Sequence, residues 1–313
     1  MTHSFQRVSS LTDVQEKPPT FLAVGVFDGV HRGHQTLLQE MVAAAQAENA
    51  RTAVLTFFPH PITVIRPQSG RLYLSTLDDR VAQLAKQGIS LVITHPFNET
   101  VRQTRAADFV EQLCRHLNMV QLWGGQFSLG YNREGDLPFL QAIGKEKGFS
   151  VHPFESLLEW EGERISSSRI RRELAAGNIT AVNACLGRPY CVRGTVIRGE
   201  GRGKTIGIPT ANLHTWEEQH LPANGVYATV ATVGGESYTA ATNIGIRPTV
   251  GGQHQTVEAH LLDFDRDLYE QEVRLSFIGC IRDEQKFPSL DALVSQIHAD
   301  IAQTREMVAS WRS

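Results

Sequence analysis

Cysteine is scarce in this sequence. Its four cysteines, Cys114, Cys185, Cys191 and Cys280, form no CxxC pair and no Cys/His spacing typical of a metal site. This pattern excludes a disulfide-rich scaffold and a zinc-finger fold, and it favours a reducing compartment. We interpret all four cysteines as thiols of the hydrophobic core.

Long apolar runs are also absent. No stretch approaches the ~20 apolar residues that a membrane helix needs. The first twenty residues lack the charged-then-apolar order of a signal peptide. We therefore expect a cytoplasmic protein without a membrane partner.

No excess of one charge runs through the chain, because 30 basic and 33 acidic residues give a formal net charge of -3. A field that attracts nucleic acid or anionic lipid along the whole molecule is thereby excluded. A small anionic ligand held by local groups remains open. The oligomeric state cannot be predicted from these features.

The first half of the sequence alternates regularly between short apolar runs and stretches with helical periodicity. At 313 residues, two domains are the first expectation. Between residues 21 and 150, the apolar runs FLAVGVF, RTAVLTFF, SLVITHPF and NMVQLWGG alternate with the helix-period stretches QTLLQEMVAAAQ, LDDRVAQLAKQG and AADFVEQLCRHL. This alternation predicts an α/β domain with a parallel sheet and helices on both faces.

After about residue 185 the pattern changes to closely spaced β runs such as GVYATVATV and EVRLSFIG, which predict an antiparallel barrel or sandwich. A final amphipathic helix is predicted over residues 289–311. We place the domain boundary so that residues 1–185 form the first domain and 186–313 the second. The helical stretch 165–187 belongs to the first domain or links the two.

The motif FDGVHRGH, residues 27–34, stands where a strand turns into a helix. We expect the strand to end near Phe27 and the helix to start around Gly33, so that His31 and His34 share one face of its first turn. The amides and dipole at that helix end favour anionic oxygens. A structural histidine pair is the alternative, with Asp28 as a simple N-cap. A metal is less favoured because no third ligand stands at a characteristic spacing.

A second glycine-rich motif, GEGRGKTIGIPTANL, covers residues 199–213. It is not a P-loop, because Arg198 occupies the place of the first glycine and Pro209 follows where a helix should start. Its glycines can still present backbone amides to a phosphate, with Lys204 adding a charge.

The end of that motif, PTANL, carries two oxygen donors. If this segment is extended, Thr210 and Asn212 point to one face, because strand side chains alternate. Their oxygens suit a hard cation such as Mg²⁺. The alternative is turn chemistry, in which both side chains bond their own backbone.

In TVEAHLLDF, Glu258 and His260 share one face of a predicted strand, and apolar residues occupy the other. From these residues alone, Glu258 is an outward-facing carboxylate and His260 has no assigned role. The three aspartates within 263–267 do not form an EF-hand loop, because Leu268 replaces its glycine and Arg274 its closing glutamate. We interpret them as a turn.

Three motifs in the first half of the chain resemble those of one enzyme family. GVFDGVHRGH resembles the HxGH signature of nucleotidylyltransferases and, as GxFDGxHxGH, the adenylyltransferase half of bacterial bifunctional riboflavin kinase/FAD synthetases. TFFPHP, residues 56–61, is similar to that family's TFxPHP, and ISSSRIR, residues 165–171, to its ISSTRIR. The three follow the family's order.

The second half resembles the flavokinase part of the same family. Residues 199–213 are similar to its GRxxGxPTANL signature, and NIGIRPTV at 243–250 and VEAHLLDFDRDLYE at 257–270 are similar to its next two blocks. The resemblance thus covers nearly the whole chain. It implies a Rossmann-like nucleotidylyltransferase domain followed by an antiparallel β-barrel flavokinase domain with a terminal helix.

The resemblance implies two ATP-dependent steps that need Mg²⁺, with riboflavin, FMN and ATP as substrates. For adenylylation of FMN to FAD, His31, His34 and Arg171 are the expected catalytic residues. The residues implied to bind ATP in that step are Gly25, Phe27, Asp28, His31, Gly33, His34, Ser167, Ser168 and Arg171. Those implied on the flavin side are Phe58, His60, Pro61 and Gln126, although PHP alone could be a turn and SSSR a helix N-cap.

For phosphorylation of riboflavin to FMN, the resemblance implies Glu258 as the base that accepts the proton of the flavin's terminal hydroxyl. Thr210 and Asn212 are implied as the metal ligands. The residues implied to bind ATP in the kinase are Gly199, Gly201, Gly203, Lys204, Thr210 and Asn212.

The chain departs from the family at one loop. Where the family has GxDFxFGxxRxGD or its asparagine variant, this sequence reads GGQFSLGYNREGD, with Gln126 in place of a short acid or amide and Leu129 in place of an aromatic residue. The departure leaves open an active kinase beside an impaired adenylyltransferase that serves as scaffold or regulator. A flavin-binding module without turnover is the alternative of another class, but the chemically active residue types are retained.

Overall fold

The computed structural model describes residues 5–66, 72–154, 158–199, 203, 206–249 and 252–312. The chain divides into two compact units. The first comprises Met1–Ser69 and Thr76–Ile165, and the second comprises Gly70–Ser75 and Ser166–Ser313.

A parallel sheet forms the centre of the first unit, as predicted. Its strands are β1 (Gln6–Val8), β2 (Thr20–Gly25), β3 (Arg51–Phe58), β4 (Leu91–Pro96), β5 (Met119–Gly124) and β6 (Ser150–Pro153). Their order in the sheet is β1-β4-β3-β2-β5-β6, with every pairing parallel. A short hairpin, β7 (Glu159–Trp160) and β8 (Glu163–Arg164), follows.

Helices cover both faces of this sheet. The helices of the first unit are α1 (Arg32–Ala47), α2 (Pro61–Ile65), α3 (Leu77–Lys86), α4 (Glu99–Gln103), α5 (Ala106–Leu117) and α6 (Leu137–Lys147), and α1, α3, α5 and α6 form the two layers. Phe21 and Ala23 of β2 pack with α1 and α3, whereas Leu22 and Leu55 pack with α5 and α6. The strands are apolar on both sides because each side meets a helical layer.

The second unit is built on a closed antiparallel barrel. Its strands are β9 (Tyr190–Ile197), β10 (Ala211–Thr215), β11 (Gly225–Val233), β12 (Glu236–Thr249), β13 (Gly252–Leu261) and β14 (Glu272–Asp283). Their order is β10-β13-β12-β11-β14-β9, and β9 also pairs with β10. The predicted antiparallel barrel is therefore confirmed, and the sandwich alternative is not observed.

Two helices before the barrel group with it by their contacts. They are α7 (Ser167–Ala175) and α8 (Ile179–Leu186). Leu174 O accepts a hydrogen bond from Ala223 N at 2.9 Å, and Asn183 Nδ2 donates to Phe277 O at 2.9 Å. The contacts thus group residues 166–185 with the barrel, whereas the domain boundary expected from the sequence lies between residues 185 and 186. As a division between the two functional domains, that boundary stays a prediction.

The terminal helix α9 (Leu290–Arg312) packs on the outside of the barrel. Val308 belongs to the same buried apolar cluster as Ala228 and Val230 of β11. None of the helices described in the structure combines the length and apolar content needed to cross a membrane.

Candidate active sites

The FDGVHRGH motif forms a tight turn between β2 and α1. The strand ends at Gly25, two residues earlier than expected, because Phe27 (φ 52°), Gly29 (φ 78°) and Val30 (φ 40°) leave the extended conformation. The helix begins at Arg32. Thr56 Oγ1 of the neighbouring β3 donates to Val26 O at 2.7 Å and ties the turn to the sheet.

His31 and His34 lie together at the start of α1, on one face as predicted. Their ring centroids are 3.7 Å apart and the rings are inclined by 15°. His31 is the N-cap of the helix, because its Nδ1 accepts from His34 N at 3.3 Å. The interpretation of Asp28 as the N-cap is therefore wrong. Asp28 is buried in front of Arg80.

The protonation of the two imidazoles follows from these contacts. Since His31 Nδ1 is an acceptor, a neutral His31 carries its hydrogen on Nε2. Burial, followed by the nearby His31 and Arg80, lowers the pKa of His34 well below its ordinary value. His34 is therefore neutral at physiological pH. Among the described residues, its buried Nδ1 has no hydrogen-bond partner.

Arg80 of α3 is part of this site, although the sequence analysis did not single it out. It is completely buried, and its NH1 donates to Thr56 Oγ1 at 3.3 Å and to Phe57 O at 3.1 Å. Its NH2 lies 3.7 Å from Asp28 Oδ1. The available signal was a charged residue one helical turn from Leu77 and Leu84, on the apolar stripe of the helix. The guanidinium thus joins the end of β3 to the turn after β2.

Three of the four predicted flavin-side residues, Phe58, His60 and Pro61, lie where β3 ends. The Phe58–Pro59 peptide bond is cis, and His60 caps α2 by accepting from Ile62 N at 3.2 Å through Nδ1. Pro61 is the first residue of that helix. PHP is thus a turn leading into a helix, and the side chains of Phe58 and His60 are half-buried.

The loop that departs from the family follows β5. Gln126 is exposed, whereas the half-buried Leu129 packs against the core on the α5 side of the sheet. Leu129 and Gly135 exchange backbone hydrogen bonds of 3.1 and 2.8 Å. Glu134 fixes the loop to α5 by accepting from Arg105 and, at 2.7 Å, from Ala106 N. The loop is therefore anchored at its base.

These three segments meet at one edge of the sheet. FDGVHRGH, PHP and GGQF follow the carboxyl ends of β2, β3 and β5, and these strands are neighbours in the order β3-β2-β5. The carboxyl edge of an open parallel sheet is where ligands bind in such folds. The structure thus brings together, within the first unit, the predicted nucleotide-side and flavin-side residues that precede residue 165.

The remaining predicted adenylyltransferase residues begin α7, in the second unit. Ser166 caps this helix by accepting from Arg169 N at 3.2 Å, so Ser167 and Ser168 occupy its first turn. Arg171 Nε donates to Leu72 O at 2.6 Å. The N-cap interpretation of SSSR is confirmed for Ser166. The buried Arg169, with Nε 3.8 Å from Glu173 Oε1, shows that the following face is not wholly solvated.

In the barrel, Glu258 stands in a row of polar side chains. The strand register pairs Glu258 of β13 with Asn212 of β10 on one side and with Asn243 of β12 on the other. Paired residues lie on the same face with Cβ atoms about 5 Å apart. The alternate residues Val257 and Ala259 are buried, as the alternation predicts. A carboxylate flanked by two amides therefore faces away from the barrel core.

The glycine-rich motif approaches this row closely. A Cβ on Gly199 would collide with the side-chain amide of Asn212, and one on Gly203 would collide with Ile208 O. Thr210 directly precedes β10, and Asn212 is its second residue. Gly201 and Lys204, predicted as phosphate-binding residues, lie outside the described residues.

Comparisons with known proteins cover both units. The family profile of FAD synthetase matches residues 13–169, and that of riboflavin kinase matches residues 186–308. The bifunctional riboflavin kinase/FMN adenylyltransferase of Pseudomonas fluorescens is 35% identical over 293 residues, covering 91% of this chain and 92% of that protein. The protein of the same name from Haemophilus influenzae is 39% identical over 283 residues, covering 90% and 91%.

A crystal structure from Streptococcus pneumoniae, described as a macrolide-efflux protein, is similar to this chain with a TM-score of 0.89 at 28% identity. The aligned region covers 96% of this chain and 98% of the chain in that crystal structure.

Proposed function

The chain belongs to the family of bifunctional riboflavin kinase/FMN adenylyltransferases, and from this membership we propose which of its residues carry each step. It is a transferase that uses ATP to phosphorylate riboflavin to FMN and to adenylylate FMN to FAD. The observation that carries this conclusion is the match of both family profiles, together with curated relatives that align over about nine tenths of the chain.

In adenylylation, a phosphate oxygen of FMN attacks the α-phosphorus of ATP and pyrophosphate leaves. His31 and His34 bind the ATP phosphates and stabilise the charge that develops in this step. The Nε2 hydrogen of His31 supports this role, since its Nδ1 is already occupied by the helix cap. Such a reaction requires positioning and charge stabilisation rather than a covalent enzyme intermediate.

The remaining adenylyltransferase residues have supporting roles. Ser167 and Ser168 bind ATP phosphates through a helix N-terminus, and Arg171 does so through its guanidinium. Phe58, His60, Pro61 and Gln126 line the flavin side. Gly25, Phe27, Asp28 and Gly33 shape the turn that admits ATP, because small or inward-facing side chains leave its backbone accessible.

In riboflavin phosphorylation, Glu258 accepts the proton of the terminal hydroxyl as the oxygen attacks the γ-phosphorus of ATP, and the bond from that phosphorus to the bridging oxygen breaks so that ADP leaves. Its place between two amide side chains supports this role, because a half-buried carboxylate in a polar row is accessible and oriented. The glycines Gly199, Gly201 and Gly203 present backbone amides to the phosphates, and Lys204 adds a positive charge.

The residues present fit a magnesium ion in the kinase. Thr210 Oγ1 and Asn212 Oδ1 are neutral oxygen donors of the kind that Mg²⁺ accepts alongside nucleotide phosphates. Among the described residues, no group of three or more His, Cys, Asp and Glu side chains offers an alternative metal cage. When bound, the ion would neutralise phosphate charge. Adenylylation is proposed to use Mg²⁺ as well, and we place the enzyme in the cytoplasm.

A time course tests this function. Purified protein is incubated with riboflavin, ATP and Mg²⁺, and the flavins are separated by chromatography. FMN should appear first and FAD should follow from it. FMN that accumulates without FAD would instead support an impaired adenylyltransferase, the alternative that Gln126 favours.

A further inference from the structure

His260 makes a contact that the proposed chemistry does not use. It lies on β13 two residues after Glu258, on the same face of the strand. Its Nδ1 is 2.7 Å from Pro209 O. Because a carbonyl oxygen can only accept, the imidazole donates, and its Nδ1 carries a hydrogen in this contact.

The acceptor lies where the main-chain ladder ends. The paired residues of β10 and β13 begin at Ala211 and Ala259, and the antiparallel register places Thr210 opposite His260, beyond the last pair. Pro209 has no N–H to contribute to a ladder. The imidazole of His260 therefore adds a cross-strand hydrogen bond to the carbonyl of Pro209, beyond the last backbone pair of the two strands.

We propose that His260 is a positioning residue for riboflavin phosphorylation, because it holds the Pro209–Asn212 segment in register with the row that contains Glu258. This inference rests on the roles proposed above for Thr210, Asn212 and Glu258. The segment carries both oxygen donors, one directly after the anchored carbonyl and one inside the strand. An unanchored segment would spend part of its time with Thr210 turned away from Asn212.

The expected effect falls on ligand concentration more than on maximal rate. A net hydrogen bond of about 0.5–1.5 kcal/mol corresponds to a roughly two- to ten-fold change in the ratio of correctly placed to displaced segment. Saturating Mg²⁺ and ATP select the placed segment and recover most of the rate. The half-saturating concentrations should therefore rise by up to that factor, with kcat changed less.

A matched pair of substitutions isolates the donor atom. His260→Asn places an amide N–H where Nδ1 stands, whereas His260→Gln moves it toward the position of Nε2. His214→Ala is the control, because His214 is an exposed histidine on β10, two residues from Asn212. Thr210→Val tests the proposed metal ligand separately.

Two kinds of measurement are made on each full-length variant. Hydrogen–deuterium exchange of peptides covering residues 206–215 is measured without ligands. Riboflavin phosphorylation is measured over a range of Mg²⁺ and ATP concentrations, and FAD formation from supplied FMN reports on the integrity of the rest of the protein.

His260→Gln should exchange faster in residues 206–215 and need up to about ten times more Mg²⁺ or ATP, whereas His260→Asn and His214→Ala should match the wild type. FAD formation from FMN should be unchanged in all three. Wild-type exchange and concentration dependence in His260→Gln, or equal losses in the Asn and Gln variants, would overturn the positioning role. If Thr210→Val keeps full kinase activity, the proposed role of Thr210 fails, whatever His260 does.

Discussion

Two imidazoles three residues apart have unequal surroundings in the first unit. The Nδ1 atom of His31 accepts the hydrogen bond that caps the helix, whereas the Nδ1 atom of His34 is buried inside the protein. A pair of histidines on one helical turn could be predicted from FDGVHRGH. The cap could not be assigned correctly, because the left-handed Phe27 and Val30 shift the helix start away from Asp28.

The neutral state of His34 should make the first unit sensitive to acid. Its folded pKa is lowered by burial first and then by His31 and Arg80, whereas in the unfolded chain it is about 6.5. Below that pH the unfolded state binds more protons, so the free energy of unfolding falls as pH falls. We expect His34→Gln to show a shallower loss of stability between pH 7.5 and 5.5 in urea unfolding. If the free energy of unfolding of His34→Gln falls with pH as steeply as that of the wild type, the conclusion that His34 is buried and neutral is wrong.

Gln126 should limit adenylylation. Glutamine places its amide one methylene farther out than asparagine and adds a rotatable bond. A restored hydrogen bond of about 0.5–1.5 kcal/mol predicts that Gln126→Asn raises the FAD rate about two- to ten-fold. The kinase rate in the same preparation is the control.

Leu129 is the second position at which this loop departs from the family, and we expect its substitution to act differently. An aromatic ring at this position, as in the family, offers a flat surface against which flavin or adenine can pack. Because Leu129 packs against the core, Leu129→Phe tests packing more than ligand contact. A Gln126→Asn variant with an unchanged or lower FAD rate would show that this loop does not weaken the first step.

At the scale of elements, α9 is held to the barrel by a buried ion pair. Arg282 of β14 donates through Nε and NH2 to Asp300 Oδ2 at 3.0 and 2.8 Å, and Gln296 Nε2 donates to Oδ1 at 2.9 Å. Only 4% of the Asp300 side chain is exposed. Removing one member leaves a buried charge without its counterion.

Asp300→Ala should therefore lower the free energy of unfolding by about 3–5 kcal/mol. Urea unfolding of the full-length protein measures this loss in the transition of the second unit. Asp263→Ala is the matched control, because it removes an ion pair with Arg305 that is exposed on both sides and contributes little. Equal effects of the two substitutions would rule out a special role for the buried pair.

The central strands could be predicted because they are apolar on both faces, and β2 to β5 lie where the runs FLAVGVF, RTAVLTFF, SLVITHPF and NMVQLWGG stand. The edge strands β1 and β6 were missed because three or four residues with mixed polarity give no periodic signal. Arg80 was missed for another reason. The partners that stabilise the buried Arg80 are Asp28, Thr56 and Phe57, which lie far from it in the sequence. The residue pattern of the helix that contains Arg80 gives no information about them.

At the scale of the whole molecule, the two fold types could be predicted and the grouping of segments could not. Tyr73 bonds through N and O to Glu218 and His220, and its ring lies 4.8 Å from that of Trp216. These contacts, across more than 140 residues, place Gly70–Ser75 with the second unit. Local periodicity carries no information about such pairs. Barrel closure likewise depends on the pairing of β9 with both β10 and β14.

The central claim is that different residues carry the two steps, and a reciprocal assay tests it most directly. FMN formation from riboflavin and FAD formation from supplied FMN are measured for Glu258→Gln and for the double variant His31→Ala with His34→Ala. Glu258→Gln should lose about 10²- to 10⁴-fold of the first rate and keep the second. The histidine variant should lose the second and keep the first. The account is contradicted if both variants fold but lose both activities. It is also contradicted if Glu258→Gln still forms FMN at the wild-type rate, or if the histidine variant still forms FAD at that rate.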